Sequence, residues 1–509
     1  MVNTKRDYQI IIQNKYSSRQ LKGVLGDILS ALSIKMIKMK FLLIISLLIN
    51  IGTYANSDFY NVFVTNEDKR GNDVLEFPSF YIVSGSIRHN NITSSYIIKV
   101  NKEGGIRKVI ILKNGVACRI KKHENSIDVF QTSYSYLDSV SVLRFTKIDT
   151  SLNTIFEKKL NIPLNTFIDR YSVDVDFNGN YIISGSVNSY GQQINLTSFI
   201  YKISNTGDSL NSFFFTNSSS LDRAYGVLVS ENRNKLFVNY LAGNALGSII
   251  TMDSMLNIID TVDIENDLYD IYSPTYTSDS NIIIITRKLD SNHLFVSKID
   301  TMGDVILSKQ FGKHEKISIP AYQKAISRNG DNIFFLGMSG FTPSNPFVGM
   351  GKPSQILIGK LNENLDLKWI KYIDKNMYFH TYSITATSDM GCICTGTVND
   401  TINHNYKRDI FLLKLDSNGT TTWAKNIEIP KIGISIYPNP TTDYINIISN
   451  GSLAILDLSI VDINAKQVLY KKINSQQARI DVSELSSGVY FVEGKNRAGM
   501  RFKGKFIKK

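Results

Sequence analysis

The stretch from Tyr171 to Phe215, YSVDVDFNGNYIISGSVNSYGQQINLTSFIYKISNTGDSLNSFFF, decides the fold. Tyr171 to Asp176 alternates apolar and polar residues, and Asn178-Gly179-Asn180 supplies a turn. Tyr181-Ile182-Ile183-Ser184-Gly185-Ser186 is a second run, and Ser198 to Ile203 and Leu210 to Phe215 are a third and a fourth. Short alternating runs broken by Asn, Gly and Asp read as half-buried strands joined by hairpins. The same order returns in Tyr382 to Thr387, Gly391 to Thr397, Asp409 to Leu415 and Thr421 to Ile427.

Working outward, seven apolar runs end in an aliphatic residue followed by Asp, Asn or Ser: Val100-Asn101, Ile148-Asp149, Ile203-Ser204, Met252-Asp253, Ile299-Asp300, Leu361-Asn362 and Leu415-Asp416. They are spaced by 48, 55, 49, 47, 62 and 54 residues. Four antiparallel strands per unit, repeated with almost no helical periodicity, predict an all-β chain whose body is a β-propeller. Seven units favour seven blades, with six or eight still open. In the first unit the innermost strand is either Tyr60 to Val64 or Val74 to Phe77. Individual units resemble the blades of secreted bacterial propellers, and Leu415-Asp416-Ser417-Asn418-Gly419 with Trp423 is similar to quinoprotein-like blades. Trp369 and Phe156 stand at the equivalent place. The other units lack the aromatic, so it reads as packing between blades rather than a cofactor clamp.

From Ile434 onward the sequence changes character. Ile436-Tyr437-Pro438-Asn439-Pro440 fixes φ at two prolines and removes two backbone donors, which makes a stiff domain entrance. Short alternating runs follow, through Gly488-Val489-Tyr490-Phe491-Val492 to the basic end Lys503-Gly504-Lys505-Phe506-Ile507-Lys508-Lys509. They predict a small immunoglobulin-like β-sandwich over residues 432–509. Order, spacing and terminal position resemble the type A C-terminal sorting domain of proteins exported by the type IX secretion system. The resemblance implies a sorting signal carried by Tyr437, Pro438, Asn439, Pro440, Gly488, Tyr490, Lys505, Lys508 and Lys509. It also implies the secretion translocon and its sorting machinery as partners, and a place outside the cell or on its surface, reached through the periplasm.

The other end agrees. Lys38 and Lys40 precede the apolar run Phe41 to Ile51, and Thr53-Tyr54-Ala55 offers small residues for cleavage, so residues 36–55 read as a signal peptide. Residues 1–35 read as a mis-assigned or extended N-terminus, with Met36 or Met39 as the start. Cleavage after Ala55 exposes Asn56, not a lipidated cysteine.

The formal charge of +12 does not make this a nucleic-acid binder. Residues 1–55 carry +6 and residues 432–509 carry +5, which leaves +1 for residues 56–431. A near-neutral body has no footprint for a phosphate backbone. Three cysteines, Cys118, Cys392 and Cys394, cannot build a disulfide framework or a four-ligand zinc site. No metal or cofactor is expected.

Loops between second and third strands are long and variable, and in propellers they gather around the mouth of the central channel. Arg88, His89, Tyr190, Arg287, His293, His404, Tyr406 and Arg408 fall there, able to grip sugars, carboxylates or peptide backbone. Asp174 and Asp176 read as servants of the turn at Asn178-Gly179. No Gly-x-Ser-x-Gly, His-Glu-x-x-His or phosphate-loop motif occurs. The expectation is an exported propeller that binds a surface glycan or protein. The alternatives are a glycoside hydrolase or lyase working from the loop-rich face, and a passive structural or adhesive surface protein.

Overall fold

The computed structural model describes residues 59–64, 68–89, 92–115, 117–135, 140–160, 167–188, 196–215, 223–229, 235–241, 247–264, 268–288, 291–341, 352–399, 408–421, 425–428, 434–449, 455–464, 466–496 and 501–509. Residues 1–35 and the expected signal peptide at 36–55 lie outside them. Every regular element among the described residues is a β-strand.

Between residues 59 and 428 the described strands form seven antiparallel sheets. The unit quoted above is the third: Phe167–Val175, Tyr181–Asn188, Leu196–Ile203 and Ser209–Phe214 lie side by side in chain order. The first strands of the sheets make the inner ring. Asp68–Phe77 packs on Ala117–His123, Phe167–Val175 on Arg223–Val229, and that strand on Leu268–Tyr276. Leu268–Tyr276 meets Ile326–Asn329, which meets Tyr378–Ala386, and that strand returns to Asp68–Phe77. The body is a β-propeller.

Val74 to Phe77 belong to the innermost strand of the first sheet, whereas Phe59–Val64 crosses to the last sheet and pairs antiparallel with Asp409–Leu415. The expected fourth strand at Thr421 to Ile427 is corrected accordingly. The fourth place is taken by Phe59–Val64, and Lys425–Glu428 lies outside it, parallel.

All seven aliphatic-polar junctions end the third strand of a sheet and open the same turn. The backbone N–H of the polar residue donates to the carbonyl four residues on, as in Asp149 to Asn153 at 2.9 Å and Asp416 to Thr420 at 3.1 Å. Its side chain accepts from the backbone in return, as Asp416 does from Asn418 and Thr420, both at 2.8 Å. The residue three places on has positive φ in every case: Gly104, Gly207, Gly303 and Gly419 in the odd-numbered sheets, Leu152, Leu256 and Leu365 in the even ones. This position seats each sheet against the one before it. Leu152 joins Ile110 and Leu112 of the first sheet, and Leu256 joins Ile200 of the third. Burying a leucine stabilises by about 1.5–3 kcal/mol, which offsets the ~1–2 kcal/mol cost of left-handed backbone. Where glycine stands, the previous sheet fills the room, as the Trp369 ring does beside Gly419. Trp369 Nε1 also donates to the Ser417 carbonyl at 3.0 Å, so this aromatic packs between sheets as expected.

A lysine two residues before the turn clamps the same joint. Lys99, Lys202 and Lys360 donate to the carbonyls of Thr150, Ser254 and Ser417 in the following sheet, at 2.7, 2.9 and 3.2 Å.

The C-terminal strands form a three-stranded and a four-stranded sheet sharing one core of Ile445, Ile447, Leu458, Ile460, Val492, Phe502 and Phe506. Strand Ile434–Tyr437 stops at the prolines. The Asn439 side chain then continues the pairing, donating to the Lys505 carbonyl at 3.0 Å and accepting from the Ile507 N–H at 2.9 Å. Thr441 N–H donates to the Ile507 carbonyl, and Lys509 N–H to the Thr441 carbonyl. Tyr490 stacks on Phe506 at 5.5 Å and donates to the Ser486 carbonyl. The Tyr-Pro-Asn-Pro motif and the basic end, distant in sequence, are one piece of structure.

A methyl group at Gly419 would stand 2.7 Å from the Trp369 ring, whereas one at Gly179, also at positive φ, would meet nothing within 4 Å. Gly179→Ala is expected to cost about 1 kcal/mol of stability from backbone alone. Gly419→Ala should cost about 1–3 kcal/mol more from overpacking. Equal shifts in the denaturant midpoint would show that the turn does not seat the sheet.

Candidate functional site: the central channel

Inside the ring lies a cavity of about 310 Å³, lined by the first strands of six sheets. Asp73 and Leu75 come from the first, Arg119, Ile120 and Lys121 from the second, and Ser172, Val173 and Asp174 from the third. Val227 and Leu228 of the fourth sheet, Pro274 and Thr275 of the fifth, and Gln323, Lys324 and Ile326 to Arg328 of the sixth complete the opposite wall.

That segment departs from the repeat. In the sixth sheet the innermost strand is split into Ile317–Pro320 and Ile326–Asn329, both pairing with Asn332–Phe341. Ala321 N–H donates to the Leu336 carbonyl, and Leu336 N–H donates to the Ala325 carbonyl. One residue of the partner strand thus faces both alanines, and Tyr322-Gln323-Lys324 is extruded as a bulge. Bulges of this kind re-aim side chains. The extruded backbone is held by the seventh sheet: Tyr322 N–H reaches the Thr381 carbonyl, Gln323 and Lys324 N–H reach that of Tyr382, and Ile384 N–H reaches that of Lys324.

The bulge puts two kinds of chemistry together. Tyr322 enters an aromatic cluster with His380 at 4.3 Å and Tyr382 at 5.9 Å, and His380 lies 4.9 Å from Tyr382 and 6.4 Å from Tyr378. Tyr378 and His380 pair with Asn399 and Thr397, which places them toward the ends of the strands that carry the long loops. Burial, with Tyr322 and Tyr382 alongside, pushes the Tyr378 phenol up to about 12. Deeper in, Gln323 and Lys324 face the cavity. Arg119 spans the channel from the second sheet and donates to the Gln323 carbonyl at 2.8 Å.

The two acids of the cavity tie the inner strands together. Asp73 accepts from Ser383 Oγ at 2.6 Å, from its neighbour Val74 N–H at 2.9 Å and from Ile120 N–H at 3.3 Å, linking the seventh, first and second sheets. Asp176 serves its turn as expected, accepting from Asn178 and Asn180. Asp174 does not: it faces the cavity, accepts from Val229 N–H at 2.9 Å and lies 3.6 Å from Lys121. Alternation sends it to the same side as Asp176, but the turn is already satisfied by one carboxylate.

Of the loop residues predicted from sequence, Tyr190, His404 and Tyr406 lie outside the described residues. His89 ends strand Phe80–His89, with its side chain also outside them. Arg88 is exposed and opposite Asp68 in register. Arg408 grips Asp68 through Nε at 2.7 Å and through Nη2, joining the last sheet to the first. Arg287 lies on the fifth sheet and His293 in the bend just before its third strand, the His293 Nδ1 3.2 Å from Ser291 Oγ and its ring 5.9 Å from the His314 ring. The structure thus brings Arg88, Asp68 and Arg408 to one joint and leaves Arg287 and His293 at another sheet. Tyr322, Tyr378, His380, Tyr382, Arg119, Lys121 and Lys324 were missed. The aromatic run Tyr378 to Tyr382, inside an inner strand, was the available signal.

Residues 435–509 match the family described as the secretion system C-terminal sorting domain. The tail therefore marks the protein for export by the type IX system, to the outer surface or the medium, with that machinery as its partner. No curated protein matches the chain. Among solved structures it is similar to the periplasmic gluconolactonase PpgL of Pseudomonas aeruginosa, at 8% identity and a TM-score of 0.42, over 69% of this chain and 97% of that one. It is also similar to a subtype N10 neuraminidase-like protein of A/little yellow-shouldered bat/Guatemala/060/2010, at 10% identity and a TM-score of 0.38, over 62% and 95%. A protein of unknown function from Bacteroides caccae gives 10% identity and a TM-score of 0.37, over 58% and 94%. No activity transfers at this level of likeness.

Burial by itself would raise the Asp68 carboxyl, but the hydrogen bonds and charge of Arg408 outweigh it and hold the group below the usual carboxylate range. Stability from this pair is present above the unfolded carboxyl value and is lost as pH falls through the lowered folded value. Arg408→Ala and Asp68→Asn should each cost about 2 kcal/mol, and the double variant little more than the worse single one. Additive losses in urea unfolding at pH 7 would mean that the pair does not act as a unit.

Proposed function

We propose that this is an exported, seven-bladed propeller protein that binds a glycan at the loop-bearing end of its channel. Its body would span residues 56–431, and an immunoglobulin-like sorting sandwich residues 432–509. A leader at 36–55 would route it through the periplasm. One observation carries the reading: the bulge Tyr322-Gln323-Lys324, which sets an aromatic cluster beside a polar, charged cavity. Aromatic faces take the apolar faces of sugar rings, and convergent polar groups take the hydroxyls. A break in an otherwise regular repeat is where function is expected to displace regularity. The loop residues Arg88, His89, Tyr190, Arg287, His293, His404, Tyr406 and Arg408 would extend the site outward.

A glycan and polysaccharide array probed with the secreted protein, read for both retention and cleavage, is expected to show retention without product. Tyr322→Ala should weaken that retention at least tenfold with the circular dichroism unchanged. Product formation would replace binding by hydrolysis or lysis, and neither retention nor product would favour a structural role. For the tail, deletion of residues 434–509 should trap the protein in the periplasm; arrival of the truncated protein at the surface would refute the sorting role.

A further inference from the structure

The charges inside the channel do not balance. Arg119, Lys121, Lys324 and Arg328 line the cavity with Asp73 and Asp174. Arg328 lies 2.6 Å from Glu363, and Lys121 is paired with Asp174. Asp73 is held by Ser383, Val74 and Ile120. Lys324 Nζ donates to a neutral group, Thr385 Oγ1, at 3.1 Å. Among the described residues no carboxylate stands within ion-pair distance of it. Asp73 stays anionic, since its three donors are neutral, and offsets Lys324 in part without pairing with it. With Glu363 counted, four cations still face three carboxylates, and an incoming anion relieves that excess.

We propose that the channel takes the carboxylate of a single acidic sugar unit, with Lys324 as its counter-charge, Arg119 beside it, and Ser172, Thr275 and Asp174 placed for the ring hydroxyls. This rests on the reading of the channel as a glycan site and names the class of glycan. The volume agrees, since about 310 Å³ lies at the small end of ligand pockets. So does titration. Burial, opposed by Asp73 and reinforced by Lys121 and Arg119, holds the Lys324 ammonium down to about 8. The groups around it are Asp73, Asp174, Lys121, Arg119 and the Thr385 hydroxyl. Lys324 therefore carries its charge at pH 7 and loses it over the following two pH units, and a bound carboxylate would pull the proton back.

Calorimetric titration of the full secreted protein with glucuronate and galacturonate, against glucose and galactose, tests this. At pH 7 each uronate should bind at least tenfold more tightly than its neutral parent. That preference should vanish at pH 9.5 and in Lys324→Met, and persist at pH 9.5 in Lys324→Arg, with circular dichroism checking the fold of both variants. Equal binding of acid and neutral sugars at pH 7 would overturn this inference and leave the glycan reading standing. No binding of any sugar would overturn both. Inorganic phosphate or sulfate binding as tightly as the uronates would mean a site for simple oxyanions and would also overturn it.

Discussion

A ring of sheets needs one joint that the repeat itself cannot make, and here strand Phe59–Val64 makes it. It completes the last sheet, running from Phe59 opposite Lys414 to Phe63 opposite Ile410. It also does for the first sheet what each outer strand does for the next: Asn61 Nδ2 donates to the Gly104 carbonyl at 2.8 Å, and Phe59 packs beside that glycine. The strand therefore belongs to two joints at once, and the two ends of the body are held by pairings more than 300 residues apart. Loop-closure entropy opposes such pairings only logarithmically in length, so an extended ladder and two hydrophobic clusters suffice to hold them. Arg408 with Asp68, and Asp73 with Ser383, reinforce the same seam from the loop end and from inside.

Because closure, socket turns and lysine clamps fix each sheet against its neighbours, the inner strands can bear irregularity. The sixth sheet uses that freedom. Its bulge frees three residues from pairing within their own sheet, and their N–H groups are satisfied by carbonyls of the seventh sheet, so no N–H of the three is stranded by the departure. A flexible loop could present the same side chains only after ordering itself on each binding event. A braced bulge holds them in place beforehand.

How much of this could be read in the sequence depended on how local each signal was. The aliphatic-polar junctions were legible because the turn they open is satisfied within five residues, with the capping side chain, the left-handed residue and the returning N–H all inside the quoted pattern. The paired motif and basic end of the tail were legible as a pattern, but not as the Asn439 bridge between them. The innermost strand of the first unit was open between two choices, since alternation in Tyr60 to Val64 and in Val74 to Phe77 says nothing about which sheet each joins. Arg408 was recognisable at the loop end, but its partner lies 340 residues away. The channel was missed for a different reason: a run such as Tyr378 to Tyr382 looks like any half-buried strand until its neighbours are known.

Charge offers the sharpest case of what averaging hides. Residues 56–431 sum to +1, a total that says nothing about how charge is placed inside a cavity. At the surface, water and salt screen single charges within about 10 Å. Inside the channel a lone ammonium is screened far less, so one unmatched lysine there weighs more than several on the rim. The bulge is what makes it unmatched. A regular strand would alternate its side chains between the two faces of the sheet, against the neighbouring sheets; extrusion sends Lys324 inward, beside Arg119 and Lys121, where Asp73 offsets it only in part and makes no ion pair with it. Geometry, not composition, gives this near-neutral body a positive interior.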